Sequence, residues 1–142
     1  PRRIGGLVEL VDLYPTVLGI LGLAATPGVQ GCDWSSALNN GDSIGRGDIY
    51  SEMHEMEPMV FESGSGPYAA CLTLRTESWK LSVYPAHSHD AGQLFDLRND
   101  PDESVNLFHE PACRDRREQM LWRLTQRTHA NIDPLPLRLR QW

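Results

Sequence analysis

Lysine is nearly missing from this chain: Lys80 is the only one among 13 basic residues, and all the rest are arginines. The front half is poor in positive charge of any kind. Residues 1–70 carry Arg2, Arg3 and Arg46 against nine acids, whereas residues 71–142 carry ten basic and ten acidic groups. Nucleic-acid binding depends on clustered cations that displace counterions from phosphates, so this distribution excludes nucleic acid as the main partner. Cysteine is scarce as well. Cys32, Cys71 and Cys113 are widely spaced and form no C-x-x-C pair, which removes zinc knuckles and dithiol redox motifs and leaves free thiols as the expected state. No apolar run approaches the roughly 18–20 residues needed to cross a bilayer, so no membrane span is expected. The chain opens on Pro1-Arg2-Arg3 and lacks the apolar core of a signal peptide, and the expectation is a piece of a longer polypeptide.

What is present is an ordinary globular balance: 142 residues, 40% hydrophobic, 23% charged, with a mean hydropathy of -0.40. The most apolar stretch is residues 4–23. There Asp12 precedes Leu13-Tyr14-Pro15, which predicts a helix over about 12–22 capped by Asp12, with Pro15 in the first turn and Gly22 just past the end. This helix is apolar nearly all round, a pattern that demands burial on more than one side. Glycine, proline and asparagine crowd residues 24–48 into a loop-rich connection. Short strands are then predicted at 48–52, 68–75, 79–84 and 93–97, from alternating apolar positions and β-branched or aromatic residues. Residues 53–66 between the first two carry three acids and three methionines and are expected to be an exposed loop. Asp100-Pro101-Asp102-Glu103 predicts a type I turn. Residues 111–130 predict a helix with Met120, Leu121 and Leu124 as its apolar stripe. The arginines Arg114, Arg116, Arg117, Arg123 and Arg127 alternate there with acids, as on a solvated helix face rather than an anion-binding patch. The fold class is α+β: a small antiparallel sheet of about four strands covered by a C-terminal helix.

Five segments in order carry a more specific signal: VELVDLYPTVLGILGL, GCDWSSAL, LRTESWKLSVYP, QLFDLRNDPDESVNL and the polar helix that follows. This series resembles the C-terminal part of the sulfatase family within the alkaline phosphatase superfamily. Asp12, Leu13, Tyr14, Pro15 and Thr16 match the first family pattern in full. Arg75, Thr76 and Lys80 match the second strand pair, and Asp100, Pro101, Glu103, Asn106 and Leu107 match the last. The departures are mild: Gln93, Phe95 and Trp34 stand where Glu, Tyr and Leu are usual.

The resemblance implies that residues 1–45 are the tail end of a larger α/β catalytic domain, that 46–130 are the antiparallel subdomain, and that 131–142 are an extended tail. It implies an upstream catalytic domain as partner, a sulfate-ester substrate reached through the parent protein, and a parent that uses a formylglycine and a divalent cation, calcium. The formylglycine supplies a nucleophilic hydroxyl, while the cation and basic groups offset charge on the transferring sulfuryl group. None of that machinery is expected within these residues. The formylglycine motif is C-x-P/A-x-R, and Cys71 is followed by Thr73 where Pro or Ala belongs; Cys113 has the wrong residue at the same place, and Cys32 lacks the Arg. No catalytic residue is therefore assigned.

The substrate-cleft candidates are Glu52, which matches a Glu common in the family, and His54 beside it. His87-Ser88-His89-Asp90 reads as a solvated loop, since no third ligand lies nearby. Arg75 and Lys80 are expected to pair with Asp96 or Asp100. Two other functions stay open from sequence: a noncatalytic interaction or oligomerisation module, with a homo-oligomer as one form, and a phosphonate monoesterase or phosphodiesterase of the same superfamily. An apolar helix without the sheet it should cover predicts self-association in dilute solution.

Overall fold

A computed structural model describes residues 3–54, 60–61, 64–65, 70–85 and 91–131. The polar loop from His87 to Asp90, the acids Glu55 and Glu57, and the alternating Leu135-to-Trp142 tail lie outside the described residues. The described chain forms two compact units, one of residues 3–45 with 128–131, the other Arg46–Arg127.

The second unit is a four-stranded antiparallel sheet. Its strands are β1 (Ile49–His54), β4 (Ala70–Arg75), β5 (Trp79–Val83) and β6 (Gly92–Asp96), adjacent in that order. Between β1 and β4 the chain makes a separate two-stranded pair, β2 (Val60–Phe61) with β3 (Gly64–Ser65). This corrects the expectation of an unstructured connection over 53–66: β1 runs on to His54, and a short hairpin follows.

Strand alternation builds the core. The register sets Tyr50, Leu74, Leu81 and Leu94 in one row across all four strands. The three leucines are fully inaccessible, and Leu72 and Val83 fall on the same face two residues along. Helix α3 (Arg114–Ala130) covers this face with Met120 and Leu124, and Phe108 completes the cluster. Burying each such side chain is worth about 1.5–3 kcal/mol. Gly92 leaves room for Phe108, because a Cβ there would lie 2.2 Å from the ring. The start of α3 follows from Glu110, whose carboxylate accepts the Ala112 N–H, and from Pro111 in the first turn.

The opposite sheet face is mostly polar. A row of Ser51, Thr73, Ser82 and Gln93 crosses it, with Thr73 Oγ1 and Ser82 Oγ 2.9 Å apart. Among the described residues the three cysteines are free thiols.

In the first unit, a 3-10 turn at Leu10–Asp12 runs directly into α1 (Leu13–Ile20). That continuity displaces the predicted cap: Asp12 has helical dihedrals and its side chain does not cap α1. The C-terminal end falls where expected, closed by Leu23 N–H on Leu18 O and Gly22 N–H on Gly19 O. A second helix, α2 (Ser35–Asn40), lies inside the segment expected to be loop. Asp33 nucleates it by accepting the Ser35 N–H at 2.7 Å, which holds the Asp33 carboxyl below its ordinary value. No described helix is long and apolar enough to cross a membrane.

Candidate functional site

The motif residues are structural ties, and each tie has visible geometry. The Asp12 carboxylate is buried and accepts two backbone N–H groups, from Glu9 and from Cys32, both at 2.8 Å. Thr16 Oγ1 accepts the Trp34 N–H at 3.1 Å and donates to Cys32 O at 3.3 Å. The DLYPT segment therefore clamps the GCDW loop onto α1. Gly31 makes the approach possible, since a Cβ there would sit 2.4 Å from Val11 O, and its φ of +91° favours glycine.

In the sheet unit, Thr76 Oγ1 accepts the N–H of Ser78 and of Trp79, closing the β4–β5 turn. Lys80 Nζ meets Glu103 Oε2 at 2.5 Å and lies 6.0 Å from the Phe95 ring centroid. This replaces the expected partners Asp96 and Asp100, whose oxygens are engaged in turns. Asp96 takes the Asn99 side-chain amide and the N–H groups of Arg98 and Asn99, and Asp100 takes the Val105 N–H. These bonds hold both carboxyls below their ordinary value, with the Asn99 amide the main cause for Asp96 and the Ser104 backbone for Asp100. Arg75 is exposed. Asn106 serves the edge of the sheet: its Oδ1 accepts the N–H of Leu94 and Phe108, and its Nδ2 donates to Gly92 O.

Both cleft candidates lie on β1, an outer strand of the sheet. Glu52 is exposed and stands opposite Leu72; its carboxylate accepts from Tyr50 OH at 2.5 Å. His54 ends the strand opposite Ala70. The structure thus puts the two candidates on one strand, two residues apart. Cys71 stands opposite Met53 in β4, with Sγ 3.6 Å from Thr73 Oγ1. Burial pushes the Tyr84 phenol above its ordinary value, with the Cys71 thiol adding to the shift. Among the described residues no three His, Cys, Asp or Glu side chains gather as a metal cage.

A cleft that sequence reasoning missed opens beside the β4–β5 turn. It has a volume of about 490 Å³ and is lined by Trp79, Arg98, Arg116, Gln119 and Arg123, among others. The arginines of α3 are thus not the uniformly solvated face that their alternation with acids suggests. Arg117 donates to Phe108 O, and Arg123 donates to Asp48, so both pin α3 to the rest of the unit. Arg116 lies over the Trp79 ring, 5.4 Å from its centroid. Arg114, paired with Glu118 one turn on, keeps the exposed form that the alternation with acids suggests. Spacing along α3 could not separate these roles, because their partners Asp48, Trp79 and Phe108 come from three distant segments.

The fold belongs to a recognisable class. A putative sulfatase from Bacteroides thetaiotaomicron superposes with a TM-score of 0.68 at 20% identity, over 86% of this chain and 25% of that one. A protein solved in complex with its substrate D-glucosamine-2-N,6-O-disulfate gives 0.66 at 23% identity, over 87% of this chain and 24% of that one. A 2-O GAG sulfatase gives 0.67 at 20% identity, over 84% and 24%. This is the C-terminal portion of the sulfatase fold.

The family can be stated more closely. The family described as N-sulphoglucosamine sulphohydrolase, C-terminal, matches residues 2–130, and the chain belongs to it. Arylsulfatase K of Mus musculus is 33% identical over 109 residues, and that of Homo sapiens 30% over 105 residues. These matches cover 76% and 74% of this chain but 19% of each relative, so the chain spans about a fifth of the curated relatives it matches.

Proposed function

We propose that this segment works as the closing part of a longer sulfatase that hydrolyses sulfate groups on a sugar. What carries the reading is the family match over residues 2–130 together with the clamp made by Asp12 and Thr16, which gives the matching motif a physical role. The sugar is suggested by the family's description and by the glucosamine and GAG sulfatases with the same fold.

In this reading, residues 1–45 belong with an upstream α/β domain. Support comes from α1, where Leu13, Tyr14, Val17, Ile20 and Leu21 are each more than half exposed. Contiguous apolar surface of this kind marks a face built to be covered. Residues 46–130 form the subdomain that borders the substrate cleft, and Glu52 and His54 contribute to that border. Glu52 is an acceptor held by Tyr50, suited to a sugar hydroxyl, and His54 lies two residues along the same strand. The parent's calcium and formylglycine reside upstream. The described residues here do not supply a cation cage, and no step of the reaction is assigned to them.

The test is to express the full reading frame that carries this segment and to measure sulfate release from an aryl sulfate and from a sulfated disaccharide, beside the 142-residue chain alone. Release by the longer product and none by the chain alone is expected. Release by the chain alone that is abolished by Cys71→Ala would place the nucleophile in this segment. Turnover of a phosphodiester with no sulfate release would overturn the sulfatase reading. In the longer protein, Glu52→Gln and His54→Ala are expected to raise KM several-fold while leaving kcat within about twofold, the signature of lost substrate binding.

A further inference from the structure

We propose that the cleft between α3 and the β4–β5 turn is a second saccharide-binding site, taking a sulfate or carboxylate group of an acidic sugar. The sugar class rests on the proposed function; the anion preference rests on the cleft itself.

The cleft's volume of about 490 Å³ falls within the range of small-ligand sites. Three guanidinium groups reach it, and their states differ. Arg123 is committed to Asp48. Arg116 is held over the Trp79 ring at 5.4 Å, and among the described residues no protein acceptor takes its N–H groups. A guanidinium stacked on an indole is fixed in orientation, while the donors around its edge stay in the plane, ready for a two-pronged bond to an oxyanion. Arg98 also lines the cleft, two residues from Asp96, whose oxygens already accept from Asn99 and from two backbone N–H groups. Asp96 and Asp48 are therefore taken, Glu77 also lines the cleft, and among the described residues no carboxylate bonds to the side-chain donors of Arg116 or Arg98.

The rim supplies the rest of a sugar site. Gln119 and Asn99 line the cleft with amides suited to hydroxyl groups.

The experiment uses the 142-residue chain and measures binding by titration calorimetry with three probes: a trisulfated uronate–glucosamine disaccharide, the same disaccharide without sulfate, and inorganic sulfate. Saturable binding of the sulfated disaccharide is expected, weakened at least tenfold by Arg116→Gln and by Arg98→Gln. Arg114→Gln, an equal loss of charge on the same helix, should change it less than twofold. Unchanged thermal melting of each variant shows that folding is intact, and Arg98→Gln remains informative if Arg116→Gln unfolds.

Three outcomes overturn the proposal: no effect of either cleft variant, an equal loss with Arg114→Gln, or inorganic sulfate and the unsulfated sugar binding as well as the sulfated one. Binding is read without turnover, so a parent that proves inactive on sulfate esters sinks the proposed function while leaving this site to stand or fall separately.

Discussion

The two units treat their apolar side chains in opposite ways. Among the described residues, all eight buried hydrophobic side chains, from Tyr50 to Leu124, belong to the unit of 46–127. Residues 1–45 instead leave Val8, Leu10, Leu13, Ile20 and Leu21 between 53% and 86% exposed. What is buried in α1 is Pro15 and Thr16, together with the preceding Asp12, the polar and cyclic residues that hold the loop. The sheet unit is thus organised around hydrophobic burial, and the helical unit around backbone hydrogen bonds to side chains. The first kind of order is self-sufficient; the second leaves an apolar surface in water.

The largest expected effect breaks the sheet unit alone. Leu81→Ala empties a fully inaccessible site at the centre of the core row and should cost about 3–5 kcal/mol, read from the urea midpoint of the cooperative transition. Asp12→Ala attacks the other unit. It leaves the N–H groups of Glu9 and Cys32 without their acceptor and should cost about 2–3 kcal/mol locally. Hydrogen exchange should accelerate at residues 31–34 and stay unchanged in β4 and β5; uniform acceleration would show that the units are not separable.

Self-association tests the same contrast at the surface. The chain should sediment with a concentration-dependent mass, and Leu13→Glu with Ile20→Glu should restore the monomer without shifting the sheet unit's melting. A smaller effect is expected from Lys80→Met, about 0.5–1 kcal/mol, because both partners of the pair with Glu103 are 30% exposed and solvent screens them.

The smallest effect is in acid. Asp96 and Asp100 titrate below their ordinary value of 3.8, so the stability they contribute is fully present above that pH and is lost as pH falls through the lower folded values. Asp100→Asn should therefore lower stability slightly at neutral pH, flatten the acid limb below about pH 4, and leave stability unaltered at the lowest pH, where the carboxyl is protonated.

The sheet could be anticipated because its information is local. Alternation at Trp79-Lys80-Leu81-Ser82-Val83 and the apolar stripe of Met120 and Leu124 are fixed by strand and helix periods; β5 falls within a residue of its expected span, and α3 starts three residues late, after a 3-10 turn at Pro111–Cys113. The misses were of another kind. Asp12 has the composition of a helix cap, but a 3-10 turn ahead of it moved its carboxylate toward Cys32, twenty residues away. Helix α2 is only six residues long, too short for a periodic signal, and depends on Asp33. The Arg116–Trp79 stack joins a helix to a strand 37 positions earlier, and no spacing along either element encodes it. Glu52 and His54 were placed by family likeness alone; the strand period puts them two apart, and nothing local distinguishes them from any polar pair on an outer strand.

Asn106 has a consequence for growth. With Leu107 N–H on Leu94 O and its own amide on Gly92 O and Leu94 N–H, the 106–107 segment occupies the hydrogen-bonding groups along β6 that another strand would need. The sheet is therefore terminated on that side by a side chain imitating a backbone. β1, the other outer strand, carries no such stop among the described residues. Among the described residues, the edge of this sheet that stays open to a further strand is therefore that of β1.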